Sequence, residues 1–137
     1  MPRILAIDYG AKRTGVAVTD PLGIIASPLD VFPSHTLEDF LKAYFQKEEV
    51  TKVVIGMPKN TDGSPTNATP LVQAFINRFK KVFPSMELIL HDERFTSKMA
   101  FDAMLAGGMK KKDRRNKGNV DKISATIILQ SYLESNP

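Results

Sequence analysis

The spacing of apolar positions changes several times along the chain, and each change marks the boundary of an element. Arg3 to Ile7 is a nearly unbroken apolar run, the pattern of a strand covered on both faces. Tyr9-Gly10-Ala11-Lys12-Arg13 reads as a turn, Thr14 to Thr19 as a strand, and Asp20-Pro21-Leu22-Gly23 as a second turn. Ile24 to Phe32 is a third extended run broken by Pro28. Connections this short predict an antiparallel meander. From Leu37 the period becomes helical: Leu37, Phe40, Leu41, Tyr44 and Phe45 share one face, with Thr36 and Asp39 spaced as a capping box.

Lys52 to Gly56 predicts a short buried strand, and Met57 to Pro70 a loop rich in breakers. Thr69 can cap, and Pro70 open, a helix with the apolar face Val72, Phe75, Ile76, Phe79 and Phe83, which Pro84 stops. Glu87 to His91 is another buried strand. Thr96 or Ser97 can cap a further helix ended by Gly107 and Gly108. A last helix is expected from about Val120 to Leu133, with Asn119 as its cap. Strand–helix–strand units imply right-handed crossovers onto parallel strands. The expectation is an α/β fold: a mixed five-stranded sheet, three antiparallel strands followed by two parallel ones, flanked by helices. No repeat or linker divides the chain, so residues 1–137 are expected to form one domain.

Composition narrows the chemistry. Apolar residues make up 42% and charged residues 25%, a globular balance. There is no cysteine, which excludes disulfides, thiolate metal sites and a cysteine nucleophile. The amino terminus has only a four-residue apolar run before Asp8, and no stretch approaches the ~20 apolar residues of a membrane span. The expectation is a soluble cytoplasmic protein with no membrane partner. The net charge of +4 is concentrated: Lys110, Lys111, Lys112, Arg114, Arg115 and Lys117 face a single acid, Asp113. Such a stretch attracts phosphates, although alone it could equally be a solvated loop.

Ligands of open α/β sheets lie beyond the carboxyl ends of the strands. The first strand ends at Asp8, the fifth runs into Asp92 and Glu93, and the last helix opens near Asp121. An all-oxygen cluster of such acids suits a hard divalent cation, Mg²⁺ or Mn²⁺. Each acid also has an ordinary explanation: Asp8 as a turn former, Asp121 as complement to the helix dipole, one of Asp92 and Glu93 as a solvated charge. Their convergence is what points to function, because at about 5 Å and an effective dielectric near 20 each pair would repel by roughly 3 kcal/mol without a cation. His35 and His91 read as structural, no Ser-His-Asp order is present, and no phosphate-loop lysine signature occurs.

The run from Asp8 through Gly10, Lys12, Arg13 and Gly15 to Asp20 resembles the YqgF/RuvX family, described as candidate pre-16S ribosomal RNA nucleases or Holliday-junction-resolvase-like proteins. Gly56 to Ser64, Asp92 to Ser97, and Val120 to Ala125 with Ile127 to Gln130 extend the resemblance, in family order, over nearly the whole chain. It implies a ribonuclease-H-like fold and metal-dependent hydrolysis of a phosphodiester. Asp8, Glu93 and Asp121 would be the catalytic acids and metal ligands. Two Mg²⁺ or Mn²⁺ ions would activate water and stabilise the leaving 3′-oxygen. Lys12, Arg13, Asn60, Arg94, Lys110, Lys111, Lys112, Arg114, Arg115 and Lys117 would bind nucleic acid, structured RNA in preference to branched DNA. Family members commonly carry paired alanines after the last Asp, where this chain has Ser124-Ala125. The resolvase RuvC pattern adds an acid at the place of Ser124, which favours hydrolysis in general over junction resolution here.

Two other classes compete. A non-catalytic nucleic-acid-binding module would keep the fold and the basic stretch but would not need acids at all three points. A phosphate-loop ATPase or sugar kinase shares the first motif but needs two lobes around its nucleotide. Oligomeric state has no signature in the sequence.

Overall fold

The computed structural model describes residues 3–20, 25–57, 69–92 and 117–135; of Asp92, residues 117–122 and Ser135 it describes the backbone alone. Five strands, β1 (Arg3–Asp8), β2 (Arg13–Thr19), β3 (Ala26–Pro33), β4 (Val50–Met57) and β5 (Glu87–Asp92), form one sheet in the order β3-β2-β1-β4-β5. The pairs β1–β2 and β2–β3 are antiparallel, and β1–β4 and β4–β5 are parallel. This is the mixed sheet expected from the order of the elements. Three helices are described, α1 (Leu37–Lys47), α2 (Thr69–Val82) and α3 (Lys117–Ser135).

Alternation along the central strands assigns each residue to a face. Leu5, Ile7, Val16, Val18, Val53 and Ile55 form one cluster with Leu37 and Leu41 of α1 and Val72, Ile76 and Phe79 of α2. Ala6, Ala17 and Val54 lie on the other face, under Ala125, Ile128, Leu129 and Tyr132 of α3. Ala6 pairs with both Ala17 and Val54, so small residues form a row across three strands. That row leaves room for the larger side chains of α3. Because β1 and β4 are covered on both sides, their sequences read as continuous apolar runs.

Several local expectations are corrected. Pro28 does not break the third run: β3 continues through it, with a register shift between Val16 and Ala17 where they pair with Asp30 and Pro28. β3 is an edge strand, where a residue without an N–H is tolerated. The capping box at Thr36 and Asp39 does not form. A 3₁₀ turn (Ser34–Thr36) leads into α1, Thr36 already has helical torsions, and its hydroxyl donates to the Pro33 carbonyl at 2.8 Å instead. Asn119 is not a cap either, because α3 begins two residues earlier, at Lys117. The helix expected between Thr96 and Gly107 lies outside the described residues. Among the described residues, no helix is long and apolar enough to cross a membrane.

Candidate functional site

Asp8 is the last residue of β1, the central strand of the sheet, and pairs with Gly15 of β2. Two residues beyond Ala6, it shares that residue's face, the one covered by α3. It is half-buried and engaged with neighbouring groups. β4 and β5 run parallel to β1, and Met57 pairs with Asp92, so the carboxyl ends of these strands share one edge of the sheet. Asp121 stands four residues before Ala125 on α3. One helical turn separates them, on the helix whose Ala125, Ile128, Leu129 and Tyr132 pack on the sheet. The helix that carries Asp121 thus covers the face of the sheet to which strand alternation assigns Asp8. Glu93 lies outside the described residues. Among the described side chains, no three acids or histidines are grouped to hold a metal ion.

The expected substrate-binding groups divide in the same way. Lys12 in the β1–β2 turn and Arg13 at the start of β2 are exposed. Lys117 opens α3, where its backbone is described. Asn60, Arg94, Lys110, Lys111, Lys112, Arg114 and Arg115 lie outside the described residues. His91, expected to be structural, has its Nε2 2.9 Å from the Ser131 hydroxyl, a link from β5 to α3. Ser124 is buried on α3.

Sequence reasoning passed over Ser34. This buried residue at the β3–α1 junction donates its hydroxyl to the Gly10 carbonyl at 2.5 Å and its amide to the Lys12 carbonyl at 2.9 Å. Its Oγ is also 2.8 Å from that of the buried Thr14. The Ser34 proton is committed to a carbonyl, so Thr14 must be the donor in that pair. Nothing in the motif Pro33-Ser34-His35-Thr36 announces this role. The one available signal was Gly10, where an added Cβ would collide with the Arg13 carbonyl, the mark of a tightly wound turn.

On the face away from α3, a cavity of about 300 Å³ opens between α1 and α2, lined by Tyr9, Ser34, Leu41, Phe75 and Phe79 among others. Tyr9 stacks on Phe75 with ring centroids 4.3 Å apart. At the rim, Arg78 binds both carboxylate oxygens of Glu38, at 2.8 and 3.3 Å. The Arg78 guanidinium holds that carboxyl below its ordinary range, and Lys42 adds to the effect.

Residues 2–135 match the family described as RuvX: Holliday junction resolvase. A protein of Flavobacterium johnsoniae is 58% identical over 135 residues, with 98% of each chain covered, and is named "Putative pre-16S rRNA nuclease". A protein of Phocaeicola vulgatus with the same name is 54% identical, over 98% of this chain and 97% of its own. Two solved structures share the fold at 14% identity. They are the Fowlpox virus resolvase in complex with Holliday junction DNA (TM-score 0.59, 97% of each chain) and Thermus thermophilus RuvC with a Holliday junction substrate (TM-score 0.53, 99% of this chain and 97% of the other). The ribonuclease-H-like architecture expected from the sequence is therefore the one observed.

Proposed function

The chain belongs to the RuvX family, and from that premise we propose that this nuclease cuts structured precursor ribosomal RNA in the cytoplasm, using divalent cations held by Asp8, Glu93 and Asp121. Nuclease activity, the hydrolysis of phosphodiester bonds, follows from the family and from the relatives' shared name. The observation that carries the site assignment is the placement of Asp8 at the carboxyl end of the central strand, on the face covered by the helix that bears Asp121.

The donor chemistry fits Mg²⁺ or Mn²⁺. Asp8 offers hard carboxylate oxygens at the sheet edge, and the chain has no cysteine to favour a softer metal. When bound, a pair of such ions supplies Lewis acidity to the attacking water and the departing oxygen. The chain's own cations do the remaining work. Lys12 and Arg13 stand exposed four and five residues after Asp8, where they can contact backbone phosphates of the substrate. The basic stretch from Lys110 to Lys117 adds sequence-independent attraction for the backbone. We read residues 1–137 as a single nuclease domain.

Four-way DNA is the second substrate reading, favoured by the family's description. Ser124 argues against it, because this buried hydroxyl occupies the place of a further acid in the junction resolvase pattern. The deciding experiment compares cleavage of a precursor rRNA fragment and a four-way DNA junction with Mg²⁺ or Mn²⁺, with Asp8→Asn as control. Faster cleavage of the RNA, abolished in the variant, is the expected result. Preferential cutting of the junction would replace the RNA reading. Cleavage that survives Asp8→Asn would overturn the site.

A further inference from the structure

We infer that Ser34 is a positioning residue for the nuclease reaction, clamping the Gly10–Lys12 turn so that Asp8 and the cations Lys12 and Arg13 keep one fixed spacing; the role rests on the nuclease reading above. Between the end of β1 at Asp8 and the start of β2 at Arg13, the chain reverses in four residues. The carbonyls of Gly10 and Lys12 both take their hydrogen bonds from Ser34, one from its hydroxyl and one from its amide. Thr14, just inside β2, donates to the same hydroxyl oxygen and orients it. A single residue from the β3–α1 junction therefore holds the turn at three points.

The clamp is itself anchored. Ser34 begins the 3₁₀ turn that leads into α1, whose Leu37 and Leu41 are fully buried in the core. Tyr9 is fixed on the same side by its stack on Phe75. Every residue between Asp8 and Lys12 except Ala11 is thus tied to the α1/α2 layer, while the Lys12 and Arg13 side chains remain exposed to solvent. Turn carbonyls shielded from water need partners in any fold, and here one anchored residue supplies both. In a turn that presents cations beside a catalytic acid that anchoring also fixes their spacing, and a displacement of about 1 Å at a reacting centre can cost on the order of a hundredfold in rate.

The test compares the parent protein with Ser34→Ala, Ser34→Thr and Thr14→Val, and with Ile76→Val as a control that loosens the core without removing a hydrogen bond. Ser34→Thr retains the hydroxyl that donates to the Gly10 carbonyl. Cleavage of a precursor rRNA fragment with Mn²⁺ is measured well below every melting temperature, and amide exchange is followed at position 34. Ser34→Ala should lower kcat/KM about tenfold or more and speed exchange at residue 34 by a similar factor. Ser34→Thr should stay within about threefold of the parent, and Ile76→Val should match the parent once both are folded. Should Ser34→Ala not fold, Thr14→Val, which keeps the shape and removes the orienting hydroxyl, should show the loss. Parent-like kcat/KM in Ser34→Ala or, if that variant is unfolded, in Thr14→Val would overturn the role while leaving the nuclease reading standing. Equal losses in Ser34→Thr or in the Ile76→Val control would do the same. Absence of cleavage by the parent on any nucleic acid would end both.

Discussion

The Nε2 of His91 lies 2.9 Å from the hydroxyl of Ser131, joining the carboxyl-terminal part of β5 to the later turns of α3. Both groups are partly buried, so the bond is shielded from competing water. It fastens the edge strand of the sheet to the helix that carries Asp121, and so couples two segments to which the proposed site belongs.

Removing that link should cost stability without touching the chemistry directly. Ser131→Ala is expected to lower unfolding free energy by about 1 kcal/mol, the net value of an ordinary hydrogen bond. A double-mutant cycle with His91→Ala, followed by urea denaturation, should return a coupling of similar size. Strict additivity of the two substitutions would show that the bond contributes nothing.

The proposed metal site predicts an unusual thermal signature. Asp8→Asn should keep or raise the melting temperature in EDTA, because it removes one member of a repelling set of acids. Added Mg²⁺ should stabilise the parent more than the variant, since a ligand that binds the folded state stabilises it by mass action. RNA binding should persist in the variant. A large drop in melting temperature for Asp8→Asn, with no Mg²⁺ effect on the parent, would make Asp8 a structural turn residue.

The Ser124 hydroxyl belongs to a residue only 3% exposed on α3. Ser124→Ala removes that desolvated group and substitutes a better helix former. A gain of about 1 kcal/mol in stability is expected, with cleavage unchanged, by calorimetry and by single-turnover kinetics. A loss of stability would mean that the hydroxyl is satisfied.

Glu38 predicts a small acid-sensitive contribution. Its carboxyl is held below the ordinary value of 4.5, first by the hydrogen bond from Arg78. A lowered folded-state value means that the stabilisation is present above the ordinary carboxyl range and is lost as pH falls through the folded-state value. The parent should therefore exceed Glu38→Gln in melting temperature at neutral pH, and the gap should close on acidification below about 4.5. Both partners are partly exposed, so added salt should narrow the gap as well. A gap independent of pH would assign the contact to packing alone.

The order of elements was legible because each has its own period. β1 and β4 are buried on both faces and so read as unbroken apolar runs, whereas α1 and α2 bury one stripe and so read at helical spacing. Asp8 was legible for a related reason, as the first charge after such a run. Helix starts were less so. Thr36 stands at the N-cap of α1 but makes no capping bond, because the 3₁₀ turn before it leaves it with helical torsions, and α3 starts two residues before Asn119; a helix end follows the packing of its body more than one side chain's preference.

The amino-acid pattern alone settled which segments are strands and helices, their mixed sheet, and the kind of chemistry that acids and bases without cysteine allow. Folding in three dimensions decided the rest: that Ala6 and Asp8 face α3 while Ile7 and Tyr9 face α1 and α2, and that Ser34 closes the turn after Asp8. Periodicity is local and survives in the linear order. The partners of Ser34 include backbone carbonyls, which every residue possesses, and no sequence marks a carbonyl for a serine twenty-four positions away.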